Sequence, residues 1–256
     1  MADNDSGLFG EKIFFLHPPG ILQNQVITEL AQDEFEVYIA KDENKLKQAL
    51  KKFPQSIVFA CINEGMKENA WEVWIRGVMG NAENAGTLIG IITSENDDAV
   101  RRKYTEQLKV PCGFTVVKSD ANLAIKQLTS ILNSVNAKGR RKYIRALTDK
   151  EANITVNIPM NGTFVNGAIK DISVVGFSCS FADDPELSKN SLFEDIQIRL
   201  QSQLLKAEGI VFGSRMEGDQ KVYVILFSKR VDQSIKLKIR KYIQSNLQSK
   251  MNEEIK

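Results

Sequence analysis

Two periodicities divide this chain. Up to residue 136, short runs of apolar and β-branched residues alternate with longer stretches in which apolar positions recur every three or four residues. The runs fall at 12–16, 35–40, 56–62, 87–93 and 113–118; the helical patterns fall at 21–32, 43–52, 68–77, 97–108 and 121–135. Ile57-Val58-Phe59-Ala60 shows no polar alternation, as expected of a strand buried on both faces. Asp42, Asp97 and Asp120 each stand where a helical pattern begins, and a short acceptor side chain there can cap free N–H groups. Five strand–helix pairs of this length predict an α/β domain: a doubly wound, five-stranded parallel sheet with helices on both faces.

A small polar stretch at 133–139 (NSVNAKG) ends this pattern, and a mainly β one follows. Strand-type segments lie at 153–158, 162–171, 174–181, 195–200, 204–212 and 222–227, separated by turn signals such as Pro159-Met160-Asn161-Gly162 and Glu217-Gly218-Asp219. Six short strands without long helices between them predict a small antiparallel barrel. A last helical pattern, 231–249, places Ile235, Ile239, Tyr242, Ile243 and Leu247 on one face, suited to capping that barrel. Lys236, Lys238, Arg240 and Lys241 then form its solvated face. The expected organisation is a tail (1–10), an α/β domain (11–136), a linker (137–146), the barrel with its helix (147–250) and a short tail (251–256).

Charge and composition narrow the chemistry. Among 256 residues, 34 basic side chains nearly balance 32 acidic ones, so no global field favours DNA. Basic function must be local, and Lys138 to Arg145 is the densest run. Cys61, Cys112 and Cys179 are far apart, which suits buried thiols in a reducing compartment. The first ten residues are polar and acidic, and no apolar stretch approaches a bilayer span, so a cytoplasmic protein without membrane insertion is expected. His17 is the only histidine and sits at a strand end beside Pro18 and Pro19, a poor start for triad catalysis. No enzyme, metal site or cofactor is indicated. Trp71 and Trp74 share one helix face, as core residues do.

The densest chemical signal is Arg140-Arg141-Lys142-Tyr143-Ile144-Arg145, followed by Asp171-Ile172-Ser173-Val174-Val175-Gly176. Guanidinium groups grip phosphate bidentately and can stack on or bond to guanine. A carboxylate accepts from the N–H groups on guanine's other edge, a hydroxyl adds an adaptable donor, and glycine permits close backbone approach. Arg141-x-x-x-Arg145 with Asp171-x-Ser173-x-x-Gly176 resembles the PilZ domain, a bacterial receptor module for cyclic di-GMP, over roughly residues 138–250. The resemblance implies that Arg141 and Arg145 contact phosphate and guanine. It also implies that Asp171 holds a guanine by N1 and N2, Ser173 bonds nearby and Gly176 permits the tight turn. Arg140 would supply a further guanidinium, which in the family often accompanies two stacked ligand molecules; one or two remains open here. It further implies a role in motility, biofilm or virulence control through a protein partner of unknown identity.

Each cluster also has a plain structural reading: solvated linker charges for the arginines, and a side-chain-stabilised turn for Asp171, Ser173 and Gly176. A PilZ-fold adaptor that does not bind nucleotide is the nearest alternative. A regulator binding DNA or RNA would carry helix-turn-helix or stacking-aromatic signals, which are not evident.

The first half is similar to a response-regulator receiver domain, with departures at its phosphorylation residues. His17, Pro18 and Pro19 stand where paired acids are expected, and Cys61 stands at the phosphoacceptor position. Thr93 or Ser94 retains the hydroxyl and Lys118 the lysine, with Ser119 in place of the usual proline. Glu64 alone is a poor substitute for an acid cluster. The domain is therefore expected to be receiver-like in fold and incompetent for phosphorylation.

Overall fold

The computed structural model describes residues 10–117, 120–148, 151 and 153–255. The described residues form two compact units, one within residues 10–142 and 248–255, the other within residues 143–247.

The first unit is built on five parallel strands, β1 (Lys12–Leu16), β2 (Val37–Ala40), β3 (Ser56–Cys61), β4 (Leu88–Thr93) and β5 (Phe114–Val116), in the order β2-β1-β3-β4-β5. That is a doubly wound order. Every residue of the central strand β3 is buried, which explains why its sequence lacks polar alternation. The helices are α1 (Thr28–Gln32), α2 (Glu43–Lys52), α3 (Glu68–Met79), α4 (Asp98–Arg102) and α5 (Ala121–Ser134). Wide, π-type turns at Leu22–Ile27 and Lys103–Gln107 adjoin α1 and α4, where the sequence predicts continuous helices. Asp42, Asp97 and Asp120 do cap α2, α4 and α5, each accepting from two backbone N–H groups. Trp71 is fully buried and Trp74 nearly so.

The second unit contains β6 (Ala146–Leu147), β7 (Ile154–Met160), β8 (Thr163–Ser173), β9 (Gly176–Phe181), β10 (Leu192–Leu200), β11 (Gln203–Glu217) and β12 (Gln220–Phe227), then α6 (Gln233–Glu254). All pairings are antiparallel, and a β8–β9 ladder closes the ring β8-β7-β10-β11-β12-β9. The barrel core is filled by alternate side chains, among them Val156, Ile158, Ile169, Ile172, Phe177, Cys179, Ile196, Ile198, Val211 and Ile225. Ile239, Tyr242 and Ile243 of α6 join that core, and Ile235 and Leu247 pack against it, as the helix pattern predicts.

The elements end differently from three expected boundaries. The linker ends earlier than residue 146, because Ala146 is a fully buried strand residue paired with Ile172. Residues 251–254 are not tail; they continue α6, and Met251 is buried. From Gln248 onward the helix groups with the first unit, where the Gln248 amide donates to the Ile39 carbonyl at 3.2 Å and accepts from its N–H at 2.8 Å.

Candidate functional site

A one-residue irregularity in the β8–β9 ladder creates the site. Ile169 pairs with Cys179, but the next pair is Asp171 with Ser178, so Lys170 is an extra residue on β8. Such a bulge resets the alternation of side chains. Ile169 and Ile172 consequently both face the core, with Cys179 and Phe177 opposite them. Asp171 and its partner Ser178 face away from the core. In an unbroken strand Asp171 would share the face of Ile169 and point its carboxylate into the barrel. The bulge makes an outward carboxylate compatible with an apolar strand.

Strand β6 then brings an arginine to it. Ala146 and Leu147 pair with Ile172 and Asp171, and Arg145 precedes them by one residue. The Arg145 guanidinium donates from Nη1 to Asp171 Oδ1 at 3.0 Å; the arginine side chain is 45% exposed and the aspartate 13%. The second carboxylate oxygen, Oδ2, accepts a hydrogen bond from the Ser178 hydroxyl, which is itself only 2% exposed.

Thr148 holds β6 against the bulge. Its N–H donates to the Lys170 carbonyl at 2.8 Å, and its hydroxyl donates to the Ile169 carbonyl at 2.6 Å. These are carbonyls flanking the irregularity, where ladder bonds are disturbed. Thr148→Val keeps the shape and the backbone bond but leaves the Ile169 carbonyl without that donor. It is expected to cost about 1–2 kcal/mol, because Thr148 is buried and the acceptor is desolvated. Chemical denaturation checks this; an unchanged midpoint would show that the hydroxyl is dispensable.

The remaining motif residues lie at the turn between β8 and β9 or on the segment before the second unit. Ser173 is 3% exposed, and its hydroxyl donates to the Gly176 carbonyl at 3.1 Å while accepting from the Val175 N–H at 3.4 Å. It stabilises the turn between β8 and β9. Gly176 makes a close approach: a Cβ added there would lie 2.3 Å from the Ile225 carbonyl oxygen of β12. Asp171 does not bond to that turn; its partners are Arg145 and Ser178. Arg140 is exposed and Arg141 half-buried on the segment before the second unit begins. The structure thus brings together Arg145, Asp171 and Ser178, with the turn held separately by Ser173. Ser178, which the motif does not contain, is the carboxylate's other partner; its signal in the sequence is a polar residue between core residues of β9.

A separate cleft of about 520 Å³ on the barrel is lined by Phe181, Asp184, Glu217, Asp219, Lys221 and Tyr223. The Tyr223 hydroxyl, the Glu186 backbone N–H and Lys221 hold the Asp184 carboxyl down to about 2, so the group stays ionised. Glu217 and Asp219 line the same cleft, and Glu217 pairs with Arg215 as Asp184 does with Lys221.

Residues 139–245 match the family model of the PilZ domain. That segment is PilZ-like. No curated protein matches the chain. Similar solved structures include the PilZ domain of YcgR from Escherichia coli with c-di-GMP: 14% identity, TM-score 0.37, covering 45% of this chain and 96% of that one. The MrkH–c-di-GMP complex from K. pneumonia shares 16% identity at TM-score 0.39, covering 46% of this chain and 57% of that one. A response regulator protein from Burkholderia multivorans shares 17% identity at TM-score 0.36, covering 48% of this chain and 94% of that one. The match spans 50% of a YcgR chain from Escherichia coli and 57% of that MrkH chain. These likenesses are too remote to transfer a ligand or a partner.

In the first unit, Cys61 ends β3 and is 2% exposed, with burial and then the Glu64 charge pushing its thiol up. Thr93 is buried and accepts from the Glu95 N–H at 3.1 Å, while Glu64 is exposed. His17 takes a left-handed backbone (φ 52°), with Nε2 3.4 Å from Glu43 Oε2 and its ring edge-on to Trp71. Lys118 and Ser119 lie outside the described residues. Among the described residues no helix is long and apolar enough to cross a membrane.

Proposed function

We propose that this protein is a receptor for cyclic di-GMP and that its PilZ domain holds the ligand. The observation that carries the reading is the outward Asp171 carboxylate with the Arg145 guanidinium beside it, on a domain matched by the PilZ model. A ligand that suits both must offer an anionic group to the arginine and a pair of N–H donors to the carboxylate. A guanine-containing phosphodiester offers both: its phosphate replaces Asp171 as the partner of Arg145, and guanine N1–H and N2–H donate to the freed carboxylate. Arg141 adds a second guanidinium to the phosphates, and Arg140 a third. Ser173 and Gly176 act through the backbone, one fixing the turn and the other letting β9 seat against β12.

The response is conformational rather than catalytic. Ordering Arg140 to Arg145 around a ligand changes the segment that joins the two units in sequence, and with it the surface offered to a protein partner. The first unit is a receiver-like fold without phosphoaspartate chemistry, because a buried neutral thiol occupies the place of the carboxylate nucleophile.

Calorimetric titration of cyclic di-GMP into the wild-type protein, with GMP and cyclic di-AMP as controls, tests the reading. Selective binding at low-micromolar strength or better is the expected result. Folded protein that binds none of the three would sink the receptor reading and leave a nucleotide-independent adaptor.

A further inference from the structure

We infer that Ser178 is a positioning residue for guanine recognition, its buried hydroxyl fixing the plane of the Asp171 carboxylate. The inference rests on the receptor reading of the site and adds a residue to it.

The terminal torsion of an aspartate is soft, so an outward carboxylate with one partner can rotate. Among the described residues Asp171 has two partners, one per oxygen: Arg145 on Oδ1 and Ser178 on Oδ2. They differ in mobility. Ser178 lies on β9, a strand hydrogen-bonded on both sides, and is 2% exposed. Arg145 has a side chain 45% exposed on the two-residue strand β6's approach. When a phosphate draws Arg145 away, Ser178 is the partner that stays. It therefore keeps the carboxylate aimed at the moment the base arrives.

The acceptor geometry agrees. An ionised carboxylate offers about four lone-pair sites, two on each oxygen. Ser178 uses one on Oδ2, which leaves one there and those on Oδ1 once Arg145 moves. Two acceptors held in one plane match the parallel N1–H and N2–H donors of guanine. Adenine presents a bare acceptor at N1 and cannot use the pair, so holding the plane favours one base over the other.

The test is a double-mutant cycle read by calorimetry with cyclic di-GMP on the full chain, using Ser178→Ala, Asp171→Ala and the double variant. Ser178→Ala is expected to weaken binding about tenfold, the scale of one hydrogen bond to a charged group. In the double variant the serine substitution should add nothing further, because Ser178 acts only through the carboxylate. Ser178→Cys, which keeps the size and has only a weak donor, should match Ser178→Ala, and thermal unfolding confirms that each variant is folded. Wild-type affinity in Ser178→Ala, or additive losses in the double variant, would overturn the inference while leaving the receptor reading intact. Absence of binding by the wild type would overturn both.

Discussion

Arg145→Ala is expected to weaken cyclic di-GMP binding by about ten- to hundredfold or more, since a hydrogen bond to a charged group contributes roughly 1.5–3 kcal/mol and each ~1.4 kcal/mol is tenfold. The same substitution should barely change stability. The Arg145–Asp171 pair has a 45% exposed arginine, and exposed pairs contribute about 0–1 kcal/mol. In a chain of 256 residues that corresponds to a shift of less than about 4 °C in the unfolding midpoint. Arg141→Ala shares the expected loss of affinity. Asp171→Ala should instead erase the preference for guanine, lowering affinity for cyclic di-GMP while leaving weak binding of cyclic di-AMP unchanged. Calorimetry and thermal unfolding on one set of variants separate these outcomes. Unchanged affinity in both arginine variants would remove them from the site, and a loss of all phosphorylated ligands alike in Asp171→Ala would refute its role as a base reader.

The legible and illegible parts of this chain differ for physical reasons. The five parallel strands, their order of appearance and the three aspartate caps follow from patterns confined to a few neighbouring residues, and the structure has them. The barrel was legible as six strands, but the ends of β8 and β9 were not. Val174 and Val175 are β-branched and extend the strand pattern, yet they form the turn, because the Ser173 hydroxyl bonds across it to Gly176. The extra length of β11, from Gly213 to Glu217, has no apolar alternation. It is an exposed ribbon paired with β12 by backbone hydrogen bonds, and such bonds leave no trace in side-chain identity. β6 is too short to show any period at all. The motif names Arg145 and Asp171 as candidates, but their meeting depends on the bulge at Lys170. A bulge is a property of two strands in register, and one strand's sequence does not specify it. Ser178 was hidden for the same reason, since its partner is a neighbour across the ladder.

Gly176→Ala separates two accounts of the turn glycine and carries the largest expected cost in stability. If the glycine served turn conformation, its backbone would occupy the left-handed region; Gly65, Gly113, Gly162 and Gly218 do, and Gly176 does not. Its constraint is space. A methyl group there would lie 2.3 Å from the Ile225 carbonyl oxygen and 3.0 Å from the Leu226 Cα, both backbone atoms of β12. Neither can swing aside as a side chain would, so β9 and β12 must separate where Gly176 pairs with Leu226. Overpacking of this kind costs about 3 kcal/mol, and more where backbone must move. The expected result is a markedly lower denaturation midpoint with binding lost as well, because Ser178, two residues along β9, moves with the strand. Gly176→Ala with wild-type stability would show that β12 yields freely. The barrel seam would then be softer than its hydrogen bonding implies, and the placement of Asp171 would have to come from β6 and Thr148 instead.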